Sequence, residues 1–423
     1  MERRESRKKQ KNIILLSVLL VLLAVGAVFL PPLLGAGGNG GGEAAGPGTV
    51  AEQEQEQGSE PAESPVALRI ICVGDVMAHQ SQIQAQYDAA TGTYDFSNNF
   101  QYAEKYIKAA DLAICNVETT FAGGTPTGYP SFNAPDALAR DLAAAGFNFA
   151  VTANNHCLDK GKAGLERTLQ VLREQGFETA GTCLEGEKNY TVTEVKGIKI
   201  GVVAYTYETQ PVNGRRTING SYIPETALPL VNSFAYEYLD QDLQEVKSNI
   251  DAARAEGAQL IVLYFHWGEE YQNSANTWQK QIAGQLAEMG PDVIFGSHPH
   301  VIQEAETLTN SQGKKIPVFY SMGNFISNQR AETLDNRYTE NAIIAGVDLE
   351  ILESTGEVTS VTWNVQPLWL DRYSSGGKLT YTLIPLDGDM ENNPALQASG
   401  HLARARQSLA DAVALYWESR IAY

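Results

Sequence analysis

Short apolar runs that alternate with amphipathic segments constrain the fold of this chain more than any other feature of its sequence. Between residues 66 and 330 these runs read LRIICV, LAIC, FNFAV, KIGVVAYTY, LIVLYF, VIF and IPVFY. Runs that are almost entirely apolar predict strands buried on both faces. The segments between them predict helices near residues 99–110, 135–145, 239–256 and 278–289. This alternation is typical of βαβ units and predicts an α/β fold.

After residue 340 the pattern changes to longer strands. The runs AIIAGVDLEIL, VTSVTWNVQPLWL and LTYTLIPL alternate apolar and polar residues, which predicts an antiparallel end to the fold. Residues 395–423 predict a closing helix whose packing residues are Leu402, Leu409, Val413 and Leu415. We therefore expect a folded domain over residues 66–390, followed by a helical extension over residues 391–423.

The buried runs are followed by side chains that can bind metal ions or anions. These side chains are Asp75, Asn116, Glu118, Asn154, Asn155, His156, Asp159, His266, His298, His300 and Asn324. In open α/β sheets, ligands bind outside the carboxyl ends of the strands. We therefore expect these polar residues to meet at one rim of the fold.

The distribution of histidine favours a metal site at this rim. Five of the six histidines lie in these segments, namely His79, His156, His266, His298 and His300. A single buried histidine is more often a hydrogen-bonded core residue, but imidazole is also the commonest metal ligand in proteins, and five together favour metal binding. The nearby carboxylates supply oxygen ligands, and one carboxylate can bridge two divalent ions.

The first 65 residues predict a membrane anchor and a spacer. Residues 1–12 contain six basic residues and predict a cytoplasmic tail. Residues 13–30 carry no charge and one polar residue, Ser17, so a helix here crosses most of a hydrocarbon core of about 30 Å. We expect an uncleaved anchor over residues 13–34, although the small residues at 35–38 leave a cleaved signal peptide as the alternative. Residues 35–65 are rich in Gly, Glu and Gln and predict a flexible linker to an extracytoplasmic domain.

Net charge and cysteine content limit the kinds of partner and site that the sequence allows. The formal net charge of −19 disfavours binding to nucleic acid. The four cysteines match no zinc-binding spacing. An extracytoplasmic location would permit disulfides, but Cys72 and Cys115 lie in apolar runs, which favours buried thiols.

Six sequence blocks together resemble a known family. They are GDVMAH (74–79), NVET (116–119), ANNHCLDKG (153–161), HWGEEY (266–271), GSHPHVIQ (296–303) and YSMGNFI (320–326). They resemble, in the same order, the signature blocks of the CapA family of poly-γ-glutamate capsule biosynthesis proteins. The resemblance implies a calcineurin-like metallophosphoesterase fold, a four-layer α/β/β/α sandwich with a metal site at the sheet edge. It also implies a membrane-anchored, extracytoplasmic protein.

The resemblance implies two divalent metal ions, of manganese, zinc or iron. The residues that match metal ligands are Asp75 and His300 for the first ion, His266 and His298 for the second, Glu118 at the bridging position, and Asn155. Two departures from the family pattern stand out. The usual Asp-x-His motif is absent, because Met77 is the second residue after Asp75. The bridging residue is Glu118, whose side chain is one methylene longer than the usual aspartate.

The remaining site residues have expected roles in catalysis or substrate binding. The resemblance implies that His156 is the catalytic histidine, which protonates the leaving group. Asp159 either orients the His156 imidazole or caps the following helix, and the sequence leaves both interpretations open. The predicted substrate-binding residues are His79, Asn116, Trp267 and Asn324.

Three functions follow from these observations. The first is a metal-dependent hydrolase or transferase that acts on an anionic cell-envelope polymer such as poly-γ-glutamate. The second is a non-catalytic export or assembly subunit that binds the polymer. The third is a phosphoesterase for small molecules, which the absence of an arginine cluster near the motifs disfavours. The expected partners are the polymer, membrane-embedded synthase or export subunits, and membrane lipid around the N-terminal helix.

Overall fold

The structure is a computed structural model that describes residues 64–416. The predicted tail (1–12), the predicted anchor (13–34), the linker up to residue 63 and the last residues of the predicted extension (417–423) lie outside the described residues. Within residues 64–416, no helix has the length and apolar character needed to cross a membrane.

The first large sheet has eight strands. In the order β20-β19-β18-β1-β4-β5-β6, strands β1 and β4–β6 are parallel and β18–β20 are antiparallel, while β17 lies parallel to β1. Its strands are β1 Val66–Val76, β4 Leu112–Val117, β5 Phe149–Val151, β6 Glu178–Ala180, β17 Asn324–Ile326, β18 Asn341–Ile351, β19 Val358–Ser375 and β20 Lys378–Pro385. The predicted antiparallel end is therefore present, and it continues the parallel half of the same sheet.

The second large sheet has seven strands in the order β12-β8-β13-β14-β16-β15, with β7 also paired to β8. Its strands are β7 Thr191–Val195, β8 Ile198–Tyr207, β12 Ser233–Phe234, β13 Leu260–His266, β14 Val293–Ser297, β15 Ala305–Thr309 and β16 Lys315–Phe319. Two small sheets lie outside this core: β2 Tyr87–Asp88 with β3 Thr93–Tyr94, and β9 Thr209–Val212 with β10 Arg215–Ile218 and β11 Ser221–Tyr222.

Ten α-helices connect the strands within the described residues. They are α1 Gln80–Gln86, α2 Ser97–Phe100, α3 Glu104–Ile107, α4 Ala137–Ala145, α5 Gly161–Glu174, α6 Leu239–Ala255, α7 Thr277–Glu288, α8 Ala331–Leu334, α9 Pro394–Ser399 and α10 Leu402–Tyr416. Four short 3-10 helices are Leu228–Leu230, Tyr236–Tyr238, Arg337–Glu340 and Met390–Asn392.

The two large sheets pack face to face, and helices cover their outer faces. On β1, Ile70 and Cys72 belong to the core between the sheets, whereas Ile71 and Val73 belong to the core beneath helices α2–α4. The second sheet alternates in the same way between the central core and helices α6 and α7. The central strands β4, β13 and β14 are buried on both faces, which requires apolar runs along their length. The predicted α/β fold is confirmed.

Two predicted helices are each divided in the structure. The segment 99–110 forms the short helices α2 and α3, and the closing segment forms α9 and α10, which are separated at Gly400. Gly400 has a φ of 72°, which ends α9 in a left-handed cap. In α10 the buried side chains include Ala405, Ala412 and Tyr416. The four predicted packing residues, Leu402, Leu409, Val413 and Leu415, are partly buried. Small alanines let this helix approach the sheet more closely than leucines would.

All four cysteines are free and buried. Cys72 lies in the core between the sheets, and Cys115 lies in the core on the other face of the first sheet. Burial raises the pKa of both thiols above the usual range, which keeps them protonated and unreactive at neutral pH.

Gly74, near the end of β1, has no space for a side chain. A Cβ built there would lie 1.9 Å from the carbonyl oxygen of Gly323. Replacing Gly74 with alanine is therefore expected to destabilise the protein by about 1–3 kcal/mol or more, because the backbone of β1 must move. Urea unfolding measures this effect. The control is Gly284→Ala in α7, where a Cβ meets open space and alanine should stabilise by about 0.5–1 kcal/mol; equal shifts in both variants would contradict the expectation.

Candidate metal centre

The carboxyl ends of strands from the two large sheets lie close together and carry the predicted ligands. Asp75 lies near the end of β1 and pairs in register with Asn116 on β4, while His266 ends β13 and pairs with Ser297 on β14. Glu118 follows β4, and the other two histidines of the cluster follow β14. Because these strands are parallel within each sheet, their carboxyl ends share one edge.

Five of the predicted ligands form two groups that share one carboxylate. The first group contains Glu118, His298 and His300, and the second contains Asp75, Glu118 and His266. Within each group the candidate ligand atoms lie within 4.8 Å of one another, and all of these residues are buried. The shared Glu118 occupies the position expected of a carboxylate that bridges two cations.

Asp75 is held as a carboxylate by its neighbours. Its Oδ2 lies 2.9 Å from His300 Nδ1, and its Oδ1 accepts hydrogen bonds from Asn116 Nδ2 at 2.9 Å and from the Ser297 hydroxyl. Burial alone would raise the pKa of Asp75, but the hydrogen bond and the electrostatic attraction of His300 outweigh it and lower the pKa below its usual value.

Two buried ligand atoms have no hydrogen-bond partner among the described residues. They are Glu118 Oε1, which lies 3.5 Å from His266 Nε2, and His298 Nδ1. Burial, followed by the charge of Asp75, raises the pKa of Glu118 well above its usual value, and burial lowers the pKa of His298 well below its own. Unpartnered buried polar atoms are costly, and a divalent cation would satisfy both of them. The residues present therefore fit a divalent metal ion.

Asn155 and His266 complete the cluster. Asn155 Oδ1 lies 2.7 Å from His266 Nε2, and Asn155 Nδ2 donates to Asn219 Oδ1 at 2.9 Å. Burial lowers the pKa of His266 to about 3, so its imidazole is neutral at physiological pH. A neutral imidazole is the form that binds metal ions.

His156 and Asp159 form a pair beside these ligands. His156 Nδ1 lies 2.8 Å from Asp159 Oδ2, which also accepts from the backbone amide of Phe132 at 2.6 Å. Helix α5 has no side-chain cap. Of the two interpretations open for Asp159, its contacts match the orientation of the His156 imidazole.

The four predicted substrate-binding residues lie in different environments. His79 precedes α1 and lines a pocket beside the cluster. Asn116 and Asn324 are buried supports, because Asn116 donates to Asp75 and Asn324 donates to the His300 carbonyl at 3.2 Å. The structure does not place Trp267 at the site: it is fully buried in the outer core, and its indole donates to the Tyr320 carbonyl at 2.9 Å.

The pocket has a volume of about 320 Å³ and opens beside the ligand cluster. Its walls include Tyr129, Phe132, His156, Glu270, Tyr271 and His300. Phe132 lies edge-on to His156, with a ring-centroid distance of 4.7 Å, and to His79 at 5.1 Å. The Phe132 ring therefore contacts both His79 and His156 in the wall of the pocket.

The structure adds supporting residues that the sequence does not identify. Ser297 contacts Asp75, Asn219 contacts Asn155, and Tyr207 packs on His298 with ring centroids 4.5 Å apart. The Asn-Gly pair at 219–220 signals only a hairpin turn. Ser297 could have been noticed as the neighbour of a predicted ligand, but no sequence signal separates Tyr207 from other core tyrosines.

The loop after β14 is locally strained. His298 and His300 have φ values of 100° and 58°, and both are non-glycine residues in a region that such residues rarely occupy. Conformations of this kind cost roughly 1–3 kcal/mol each and cluster at functional sites. This backbone path places both imidazoles in one ligand group.

Comparison with known proteins places the chain in a family. Residues 69–329 match the family described as bacterial capsule synthesis protein PGA_cap. The PGA biosynthesis protein CapA of Bacillus subtilis (strain 168) is 27% identical over 237 residues, which cover 54% of this chain and 57% of that protein. The capsule biosynthesis protein CapA of Bacillus anthracis is 26% identical over 279 residues, which cover 62% of this chain and 60% of that protein. The match therefore spans less than two thirds of the length of these relatives.

Solved structures similar to this one include a calcineurin-like phosphoesterase and a phosphatase. The calcineurin-like phosphoesterase YfkN from Bacillus subtilis has a TM-score of 0.41 and 14% identity, covering 82% of this chain and 99% of that chain. A phosphatase from Mycoplasma pneumoniae has a TM-score of 0.39 and 16% identity, covering 72% of this chain and 94% of that chain. Because the family match covers more than half of the chain, the protein belongs to the bacterial capsule synthesis protein family PGA_cap, the CapA family that its motifs resemble.

Proposed function

We propose that this protein is a divalent-metal-dependent hydrolase or transferase that acts on a capsule or cell-envelope polymer, on a calcineurin-like metallophosphoesterase scaffold. The observation that carries the proposal is the buried cluster in which two three-residue groups share Glu118. One oxygen of that carboxylate accepts no hydrogen bond among the described residues and lies 3.5 Å from His266 Nε2. The names of the relatives support a capsule polymer, of which poly-γ-glutamate is the example.

The ligands that would hold the metal ions are Asp75, Glu118, Asn155, His266, His298 and His300. When bound, two divalent ions lower the pKa of water and stabilise negative charge on attacking and leaving oxygens. The carboxylate of Asp159 accepts the Nδ1 proton of His156, which leaves Nε2 as the atom that exchanges a proton with the leaving group. Asp75, through its contact with His300, holds that imidazole in place.

The proposal includes a location outside the cytoplasm. The uncharged segment at residues 13–34, the basic residues before it and the linker after it support a membrane anchor with the folded domain on the outer side. Such a protein would act beside membrane-embedded synthase or export subunits, with the polymer as its substrate. A protease-accessibility assay on intact spheroplasts tests this: digestion of the domain from outside is expected, and full protection would contradict it.

The function is tested with the purified full-length protein supplied with manganese, zinc or iron. Poly-γ-glutamate and the phosphodiester bis(p-nitrophenyl) phosphate are incubated with the metal-loaded protein and with a chelator-treated sample. Metal-dependent shortening or transfer of the polymer is the expected result. Turnover of the phosphodiester with an unchanged polymer would instead favour the small-molecule phosphoesterase, and no turnover in any sample would contradict the enzyme.

One observation favours a non-catalytic polymer-binding subunit as the second candidate. Met77 stands where the metallophosphoesterase pattern has a histidine, and it is buried against the pocket. A thioether is a weak ligand for manganese or zinc compared with imidazole. Normal polymer export in cells that carry the double variant Asp75→Ala/His156→Ala would favour this candidate, whereas loss of export would favour the enzyme.

Replacing Asp159 with asparagine separates proton transfer from metal binding. The asparagine can still accept from the Phe132 amide, but its NH₂ group then faces His156 Nδ1 and selects the wrong tautomer. We expect activity to fall by at least about 100-fold and up to about 10⁴-fold, the loss that a wrong tautomer of a catalytic histidine causes, with the bound metal unchanged. The same assays measure the rate, and elemental mass spectrometry measures the metal. Equal activity in Asp159→Asn would show that His156 needs no orientation.

A further inference from the structure

We propose that Asn219, at the turn between β10 and β11, is a positioning residue that turns the amide oxygen of Asn155 toward the metal centre. This inference rests on the proposed function, because Asn155 is one of the residues that would hold the metal ions. It assigns a role in the site to the small sheet β9–β11, which lies outside the two large sheets.

The buried side chain of Asn155 is held at both ends of its amide. Its Nδ2 donates to Asn219 Oδ1 at 2.9 Å, and its Oδ1 lies 2.7 Å from His266 Nε2. Divalent cations bind the oxygen of an amide, whereas the NH₂ group is only a donor. An Asn155 amide rotated by half a turn would therefore present a group that cannot bind metal. The Asn219 oxygen opposes that rotation, because it accepts from the NH₂ end.

Metal binding makes the Asn219 contact more important. His266 Nε2 can donate to the Asn155 oxygen only while it carries a proton, and an imidazole nitrogen that binds metal carries none. The hydrogen bond from Asn155 Nδ2 to Asn219 involves no atom that would bind metal. When the site is loaded, Asn219 can therefore still fix the direction in which the Asn155 oxygen faces.

The turn that carries Asn219 is packed against the segment that carries Asn155. Ile218, directly before Asn219, is buried in a hydrophobic cluster that also contains Cys157 and Leu165. Cys157 follows Asn155 by two residues, and Leu165 lies in α5. The hydrophobic contact therefore places the two asparagines side by side.

Arg216 fixes the other end of strand β10. Its guanidinium donates to Glu208 Oε1 at 2.7 Å and to Asp242 Oδ1 at 2.6 Å. Both carboxylates are buried; Glu208 follows β8, and Asp242 lies in α6. Hydrogen bonds between charged groups are stronger than those between neutral groups, so they hold β10 beside the second large sheet. The turn at Asn219 is thus supported from two sides.

The backbone and the side chain of Asn219 have separable roles. The backbone has a φ of 47° and Gly220 follows with a φ of 70°, as in a two-residue Asn-Gly hairpin turn. Asparagine and glycine both adopt this left-handed conformation. Asn219 is also exposed overall, so its replacement leaves no cavity in the core. A glycine variant therefore keeps the turn and removes the acceptor alone.

The test measures the dissociation constants of Mn²⁺ and Zn²⁺ for the full chain, by competition with a metal-binding dye. We expect Asn219→Gly to bind metal about 10–100-fold more weakly than the parent, the loss typical of removing a group that orients a metal ligand. Asn219→Asp should restore most of the affinity, because a carboxylate oxygen also accepts from Asn155 Nδ2. Thermal unfolding of each variant in chelator shows whether the fold itself has changed.

The matched control is Asn213→Gly. Asn213 has a φ of 54° and is followed by Gly214 at the turn between β9 and β10, so the same substitution is made in the same kind of turn. The Asn155 amide bonds to Asn219 and His266, and the control should therefore keep the affinity of the parent.

Equal affinity in Asn219→Gly and the parent would overturn the inference, as would equal losses in the two glycine variants. A parent protein that takes up no metal would overturn it together with the proposed function. Polymer turnover is measured on the same samples. Metal binding that weakens in Asn219→Gly, in a protein that leaves the polymer unchanged, would contradict the proposed function and leave this inference standing.

Discussion

Replacing His298 with alanine is expected to remove bound metal from the protein. In the structure His298 belongs to one of the two ligand groups, and its Nδ1 has no hydrogen-bond partner among the described residues. Loss of a direct ligand should weaken metal binding by more than the roughly 10–100-fold that loss of an outer hydrogen bond causes. Elemental mass spectrometry should find about two metal equivalents in the parent protein and at least one fewer in His298→Ala.

The control for this experiment is His401→Asn. His401 lies away from the cluster, with its Nδ1 2.7 Å from Asp371 Oδ1, and asparagine can still donate to that carboxylate. This variant should keep the full metal content. Equal metal loss in both variants would show that the loss comes from general destabilisation. Absence of metal from the parent protein, even after incubation with manganese, zinc or iron, would contradict the metal centre.

Replacing Glu118 with glutamine is expected to change stability in opposite directions with and without metal. In the metal-free protein, the Glu118 carboxyl group is buried and one of its oxygens accepts no hydrogen bond among the described residues. A neutral amide should therefore stabilise the metal-free state by about 1–3 kcal/mol. With metal, the variant should lose the stabilisation that binding provides, which is about 2.7 kcal/mol at a concentration 100-fold above Kd. Thermal unfolding with and without chelator measures both effects.

The pH dependence of the Glu118→Gln effect follows from the same carboxyl group. Burial, and then the charge of Asp75, raises the pKa of Glu118 above its ordinary value of 4.5 in the folded protein. The folded state then holds the proton more tightly than the unfolded state. The contribution of Glu118 to the free energy of unfolding is therefore fully present below pH 4.5 and is lost as the pH rises through the raised pKa. In the metal-free protein, the stability gained by Glu118→Gln relative to the parent should accordingly grow above pH 4.5. A stability difference that stays constant with pH would show that Glu118 has an ordinary pKa.

The strands and the rim could be predicted because their signals are local. A strand buried on both faces must be apolar along its length, and a polar residue that follows it must lie at the sheet edge, so Asp75 and His266 could be placed from their neighbours alone. Helix breaks were harder to predict, since the segment 395–423 has a helical pattern throughout. Gly400 divides it because its left-handed conformation ends α9.

The roles of individual polar residues depended on contacts between distant segments. Asp159 matches both a helix cap and an orienting carboxylate in sequence, and the choice depends on its 2.8 Å contact with His156 and on the Phe132 amide. Trp267 directly follows a predicted ligand, yet alternation along the backbone turns its indole to the outer core. No local pattern distinguishes these cases.

The sequence by itself determined the fold class and the set of metal-competent side chains, since burial and strand periodicity act over a few residues. Only the tertiary structure decided that the ligands come from two sheets, that Glu118 is common to both groups, and that Tyr129 and Tyr271 line one pocket. Those arrangements depend on how the sheets pack and where their loops meet. Such contacts join residues more than a hundred positions apart, so no short-range pattern in the sequence predicts them.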